Sequence, residues 1–160
     1  MKKILFLFAL LLIVVAGLYF LKDYIITGET LPFSTKNSIV TIRNHSFNVF
    51  MATSQKEQEI GLSETKTLSS DQGMIFIFEK PDYYAFWMKN MKFAIDIIYI
   101  NEDKITTIKS NVQPSKNDTA NLTIYIPEKP SDKVLEIQAG LSEEYGFQSG
   151  DKVTYENLGN

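Results

Sequence analysis

Hydrophobic and polar positions divide the chain into three stretches of different character. The first contains eighteen uncharged and almost wholly apolar residues, 4–21, preceded by two lysines and followed by Lys22. As a helix this run spans about 27 Å at 1.5 Å per residue, close to the thickness of a bilayer's hydrocarbon core. It lacks the polar face that a buried core helix would show. The pattern therefore predicts one transmembrane helix.

The apolar run is longer than the roughly 7–15 apolar residues of a cleaved signal peptide, and no convincing small-x-small cleavage site follows it. We predict an uncleaved anchor over residues 1–22, and the alternative is a signal peptide cut at Val14–Gly17 and a secreted product. Lysines before the run favour a cytoplasmic start, which would place the rest of the chain outside the membrane. Residues 23–37 mix Gly, Pro, Ser and Thr and predict a linker, and residues 38–160 an extracytoplasmic domain.

From Ser38 onward, short alternating runs are separated by turn residues, which is the pattern of β-strands. The predicted strands are SIVTI, FNVFMA, GMIFIFEKP, YYAFWMK, AIDIIYI, ITTIK, LTIYI, KVLEIQA and a last one in SGDKVTYE. RNHS joins the first two as a hairpin. One short helix is expected between a capping box of Ser54 with Glu57 and a stop at Gly61, and another begins at Ser142. About nine short strands with two short helices predict a mainly β domain, a compact β-sandwich or a partly closed barrel.

Composition and charge narrow the classes of function. The net charge is −3 with acids and bases interspersed, whereas a nucleic-acid partner requires a basic face against its phosphates. There is no cysteine, which excludes disulfides, thiol catalysis and zinc–thiolate sites. The one histidine, His45, lies in a predicted turn, and the sequence has neither a nucleophile elbow nor a calcium-binding loop. We expect no nucleic-acid partner, no metal site and no cofactor, and the two-lysine start without disulfides is typical of a bacterial protein.

The segment FWMKNMKFAIDIIYI, residues 86–100, combines the single tryptophan with a carboxylate inside an apolar strand. Both faces of that strand are apolar, which predicts a central position, so Asp96 must find hydrogen-bond donors or positive charge. Two interpretations remain open. In the first, Asp96 accepts backbone N–H groups and stabilises the adjacent turn, with Asn90 in a left-handed conformation. In the second, these two residues line a pocket with Trp87 and Lys89, which supply an aromatic wall and a donor.

Glu136, in the strand KVLEIQA, is a further candidate. Its alternation with apolar neighbours predicts an exposed strand face, and the alternatives are a pairing with Lys89 or, as two carboxylates, with Asp96. Two carboxylates separated by roughly 5–9.5 Å could act as acid and base on a glycosidic bond. We assign no catalytic residue and predict a binding site formed by Trp87, Lys89, Asn90, Asp96 and Glu136.

Five segments of the domain resemble the family called domain of unknown function 192: GLSETKTLSSDQGMIFIFEKP, FWMKN, IDIIYI, VLEIQAG and GFQSGDKV, in the family's order and spacing. The match runs from about Gln58 to Val153. The resemblance implies a compact β-sandwich-like fold and supplies no established activity. It also implies the signature positions Gly61, Leu62, Gly73, Met74, Phe86, Trp87, Met88, Lys89, Asn90, Asp96, Glu136, Gly140, Gly150 and Asp151.

The chain departs from the family pattern in two places. Where the family usually has Gly-Leu-Met and then Arg, this chain has Ser63 and Thr65. In the long polar loop, Ser115 stands where a cysteine often follows proline. If that arginine or cysteine carries a family chemistry, this chain lacks it, which weakens the case for an enzyme.

Three functions are consistent with these observations. The first is a non-catalytic module, tethered to a membrane through its N-terminal helix, that binds a small polar or glycan-like ligand against Trp87. The second is a cell-envelope hydrolase that uses Asp96 and Glu136 as acid and base. The third is a structural accessory that binds a neighbouring membrane protein through a sheet edge. We favour the first.

Overall fold

The computed structural model describes residues 38–115 and 122–158, so the predicted anchor (1–22) and linker (23–37) lie outside the described residues. Within the described part, no helix has the length and apolar character needed to cross a bilayer. This part contains seven strands and two short helices. In chain order they are β1 Ser38–Ile42, β2 His45–Ala52, α1 Gln55–Ile60, β3 Gln72–Asp82, β4 Ile95–Asn101, β5 Lys104–Val112, β6 Ser131–Gln138, α2 Leu141–Glu144 and β7 Val153–Glu156.

The seven strands form one curled sheet in the order β5-β4-β6-β3-β2-β1-β7. Neighbouring strands are antiparallel except β2 and β3, which α1 and the loop after it connect in parallel. The curl brings the two edge strands together, because Lys104 at the start of β5 pairs with Lys152 next to β7. The N–H of Ile105 also donates to the carbonyl oxygen of Asp151 at 3.0 Å. The domain is therefore a half-barrel of one sheet, and the β-sandwich alternative was wrong.

The main hydrophobic core fills the inside of this curl. Ile98 and Ile100 of β4 pack there with Ile75 of β3 and Leu135 of β6, and all four are fully buried. These residues share a face because directly paired residues of neighbouring strands project to the same side. Phe147, which follows α2, closes one part of the core. The outer face of the sheet is also covered, because Tyr99 of β4 is fully buried there. β4 lies between β5 and β6 and is covered on both faces, so the prediction that it is a central strand is confirmed.

The predictions for the first hairpin and the first helix of the domain agree with the structure. β1 and β2 form the expected hairpin, in which Arg43 takes a left-handed φ of 53°. Ser54 caps α1 through the N–H of Glu57, and the Glu57 carboxylate accepts the N–H of Ser54 in return. The helix ends at Gly61, whose φ is 49°. The predicted capping box and its stop are confirmed.

Two of the nine predicted strands are wrong. The segments YYAFWMK and LTIYI lie outside the sheet and meet each other at one bridge, Phe86 with Tyr125. Their backbones exchange two hydrogen bonds of 2.9 and 2.8 Å. Phe86 packs edge to face on Phe76 and on Tyr99 across the outer face of the sheet. Their alternating apolar residues therefore cover the sheet instead of extending it.

Candidate functional site

The carboxylate of Asp96 is fully buried, and each of its two oxygen atoms accepts two hydrogen bonds. Its Oδ1 atom accepts the N–H groups of Asn111 at 2.7 Å and Gly140 at 3.0 Å. Its Oδ2 atom accepts the N–H of Ser142 at 2.8 Å and the hydroxyl of Ser142 at 2.6 Å. Four donors can satisfy a buried carboxylate without a counter-ion. Asp96 therefore joins β4 to β5 and to the start of α2.

This geometry decides between the two interpretations of Asp96. The Asp96 carboxylate accepts backbone N–H groups, as the first interpretation required. The donors, however, belong to β5 and to the start of α2 and not to the adjacent turn. Asn90 has the expected left-handed conformation, with φ of 60°. The described residues thus give Asp96 a structural role and leave it no oxygen without a donor.

The other residues of the predicted site lie in the loop between β3 and β4. Trp87 is 47% exposed, and Lys89 and Asn90 are exposed. Met88 between them is buried and holds the loop against the domain. Trp87 and Lys89 line a cavity, whereas Asn90 and Asp96 do not. The structure therefore brings only part of the predicted set together.

The cavity has a volume of about 200 Å³ and lies between α1 and the loop 84–91, on the outer face of the sheet. Much of its wall is aromatic, formed by Phe76, Phe78, Tyr84, Phe86 and Trp87. Phe78 and Tyr84 stack at 3.6 Å, and Phe76 and Phe86 meet edge to face at 4.9 Å. The side chain of Gln58 donates to the carbonyl oxygen of Ile77 at 2.9 Å and so holds α1 against β3. α1, which forms one side of the cavity, is therefore fixed to the sheet by a hydrogen bond.

Glu136, which belongs to the predicted binding site, also lines this cavity. The residue is only 5% exposed, so the prediction of an exposed strand face was wrong. Its Oε2 atom has no hydrogen-bond partner among the described residues. Burial raises the pKa of the Glu136 carboxyl to about 8. No ion pair joins it to Lys89 in this part of the chain. A buried acid of this kind is set up to hold a proton or to accept a cation.

Asp96 and Glu136 do not converge. In the ladder between β4 and β6, Asp96 pairs with Ile137 and Ile97 pairs with Glu136. Consecutive residues of a strand face opposite sides, so the two carboxylates project to opposite faces of the sheet. The acid–base pair that the hydrolase alternative requires is not formed.

Sequence reasoning missed most of the cavity wall. Phe76 and Phe78 alternate in β3 and so share a face, which was a readable signal. Their meeting with Tyr84 and Gln58 depends on how the loop and α1 fold over the sheet, which local pattern does not specify. Among the described residues, no cluster of three or more histidine and carboxylate side chains is placed to hold a metal ion.

Several signature positions implied by the resemblance have structural explanations. A Cβ at Gly73 would lie 2.9 Å from the carbonyl oxygen of Glu136, so any side chain would push β3 and β6 apart. Asp151 accepts two hydrogen bonds from Arg43, at 2.8 and 3.0 Å, and these lower the pKa of its carboxyl. Of the departures from the family pattern, Ser63 lines the cavity and Thr65 is buried.

The solved structures that are similar to this chain include the following two. The crystal structure of a protein of unknown function from Novosphingobium aromaticivorans has a TM-score of 0.63 and 32% identity, covering 73% of this chain and 82% of that one. The crystal structure of "a putative transcription regulator" from Sinorhizobium meliloti has a TM-score of 0.68 and 25% identity, covering 80% of this chain and 98% of that one.

No curated protein matches the sequence. The sequence does match the DUF192 family, described as "Uncharacterized ACR", over residues 38–155. This range contains β1 to β6, both helices and most of β7, and with them every residue that lines the cavity. The chain therefore belongs to the DUF192 family, as the resemblance indicated.

Proposed function

We propose that the domain is a non-catalytic ligand-binding module whose site is the aromatic cavity between α1 and the loop 84–91. The observation that carries this proposal is the buried carboxyl of Glu136, which lines a cavity beside the half-exposed Trp87 and whose Oε2 atom has no hydrogen-bond partner among the described residues. A buried polar group without a partner destabilises a fold. Such groups are expected where function requires them, and a cavity with aromatic walls and few polar groups is the usual form of a small-molecule site.

Within this proposal the five predicted residues have different roles. Glu136 and Trp87 contact the ligand, and Lys89 lies at the cavity where it can reach an exposed part of it. Asn90 shapes the turn that follows Lys89, because its left-handed backbone is one that asparagine tolerates. Asp96 positions α2 from the opposite face of the sheet. The binding site therefore shifts from Asp96 towards Glu136.

We also propose that residues 1–22 anchor the domain at the outer side of a membrane. Support comes from the eighteen apolar residues and the two lysines before them. Residues 23–37, which the sequence predicts to be a linker, would connect this anchor to the domain.

The experiment uses the full chain in a maltoside detergent and the emission of its one tryptophan. Cell-envelope fragments and small metabolites are titrated in turn, and at least one class should change the emission of Trp87 in a saturable way. Glu136→Gln should weaken that response, whereas Glu143→Gln, the same change at an exposed position of α2, should not. If no class changes the emission or raises the melting temperature, the proposal fails.

A second candidate function rests on an exposed apolar patch of Tyr83, Trp87, Ile124 and Ile126, each about half exposed. The bridge between Phe86 and Tyr125 places the residues on either side of it on the same outer surface. Contiguous apolar surface is typical of interaction sites. Under this alternative the domain is an accessory of a membrane protein, and Ile124→Lys with Ile126→Lys should release a co-purifying partner while leaving the emission titration unchanged.

A further inference from the structure

We infer that the cavity binds an organic cation, an ammonium group carried by apolar substituents, with the Glu136 carboxylate as its counter-ion. This inference rests on the proposed function, because it names the ligand class of the same cavity. Four observations lead to it: the Glu136 Oε2 atom without a described partner, the balance of charge along the wall, the aromatic lining, and the protein partners of three other polar side chains of the wall.

The Glu136 carboxyl forms no ion pair with a positively charged side chain of the described residues. Burial raises the pKa of its carboxyl, and no positive side chain of the described residues lowers that pKa in turn. Within the described part of the chain, the other charged residues that line the cavity are Glu59 and Lys89. With Glu136 ionised, the wall carries two negative charges and one positive charge. A cation therefore restores neutrality, whereas an anion would increase the imbalance.

The aromatic wall favours the same class of ligand. Five aromatic residues line the cavity, and their π faces attract cations and disfavour anions. The ammonium group of a substituted amine is less strongly hydrated than that of lysine, so moving it out of water costs less. The volume of about 200 Å³ is below the roughly 300–1,000 Å³ of sites for drug-sized ligands. The cavity therefore suits a small head group.

Three other polar side chains of the wall use a donor within the protein. The amide nitrogen of Gln58 donates to the carbonyl oxygen of Ile77, and that of Gln55 donates to Glu59 at 2.9 Å. The hydroxyl of Ser63 donates to the carbonyl oxygen of Ile60 at 2.6 Å. A sugar would need several free donors and acceptors for its hydroxyls. A buried carboxyl beside aromatic side chains is instead suited to a single positive charge surrounded by alkyl groups.

The test compares choline chloride with 3,3-dimethylbutan-1-ol, which has the same shape without the charge. Binding of each to the full chain in maltoside is measured by titration calorimetry at pH 8.5. Choline should bind at least tenfold more tightly than the alcohol. Glu136→Gln, which keeps the shape of the side chain, should reduce this preference, and Glu143→Gln should leave it unchanged.

A third arm uses dihexanoylphosphatidylcholine below its critical micelle concentration and distinguishes a lipid head group from a free ammonium compound. Tighter binding of this lipid than of choline would support the head group, and weaker binding would support the free compound. Equal binding of choline and the alcohol, or a preference that Glu136→Gln leaves unchanged, would overturn the inference. Binding of uncharged envelope fragments without choline would overturn it and leave the proposed function standing. Failure of every probe would overturn both.

Discussion

Asp96 and Glu136 are the two buried carboxylates of the described domain, and they lie one residue out of register on neighbouring strands. This single offset sends them to opposite faces of the sheet. Asp96 meets four donors there, whereas Glu136 lines a cavity with its Oε2 atom unpartnered. The hydrogen bonds of Asp96 therefore stabilise the fold, whereas the burial of Glu136 without a partner for Oε2 destabilises it. Substitution of each residue can measure the two effects separately.

Asp96→Asn is expected to destabilise the domain by about 3 kcal/mol, because an amide nitrogen would face N–H donors and the charge-assisted bonds would be lost. Chemical denaturation measures the change. Asp71→Asn, the same substitution at an exposed position, should alter the free energy of unfolding by less than about 0.5 kcal/mol. A loss of under 1 kcal/mol for Asp96→Asn would contradict the structural role given to this carboxylate.

The raised pKa of Glu136 predicts a pH dependence of stability. Between the ordinary pKa of 4.5 and the folded value of about 8, the folded protein keeps a proton that the unfolded chain has released. The contribution of Glu136 therefore falls as pH rises through this window, by about 1.4 kcal/mol per pH unit at most, and is constant on either side.

Glu136→Gln removes this contribution, so the variant should gain stability over the parent as pH rises from 5 to 8. Urea denaturation at each pH unit measures the difference between the two proteins. Taking the difference cancels the titration of all other groups. A difference that does not change with pH would show that the Glu136 carboxyl titrates near its ordinary value.

Choline affinity should rise with pH up to about 8 and then level off, because the Glu136 carboxyl must lose its proton to pair with the cation. Glu59, Tyr84 and Lys89 also line the cavity, and Tyr99 lies on the same face of the sheet. Calorimetry in two buffers of different ionisation enthalpy counts the protons released. Release in the parent at pH 7 and its absence in Glu136→Gln would assign the proton to Glu136, and equal release in both would assign it elsewhere.

Trp87→Ala should weaken choline binding by about tenfold through loss of a cation–π contact. Because Trp87 is 47% exposed, the free energy of unfolding should fall by no more than about 1–2 kcal/mol. Calorimetry is the suitable measurement, since the variant has no tryptophan left. Trp87→Phe keeps a ring and should retain most of the affinity. Unfolding of Trp87→Ala would instead indicate that the indole belongs to the core.

The proposed anchor predicts that the full chain stays with membranes during carbonate extraction, because eighteen apolar residues favour the hydrocarbon phase. Removal of residues 1–22 should release the chain from the membrane fraction. Protease added outside intact cells or spheroplasts should digest the domain of the full chain. Protection of the domain until lysis would contradict the proposed orientation.

Local pattern predicted those parts of the domain that depend on neighbours along the chain. Period-two alternation located the seven strands of the sheet, and Ser54 with Glu57 located the first helix, because a capping box is formed within one turn. The apolar character of both faces of β4 predicted that it is central and that Asp96 needs donors. The motifs of the DUF192 family were also readable directly.

The tertiary structure decided which surfaces are covered and which residues meet. YYAFWMK and LTIYI alternate like strands, yet they pack over the outer face of the sheet, because the side chains of a covering segment alternate in the same way. Glu136, whose own strand reads as half exposed, is buried beside the cavity that α1 and the loop 84–91 enclose. The offset that separates Glu136 from Asp96 and the aromatic wall around the cavity arise from contacts between residues far apart in sequence. Periodicity along one strand carries no information about such contacts. The sequence alone therefore indicated that this domain buries a carboxylate, and the tertiary structure determined where the candidate site lies.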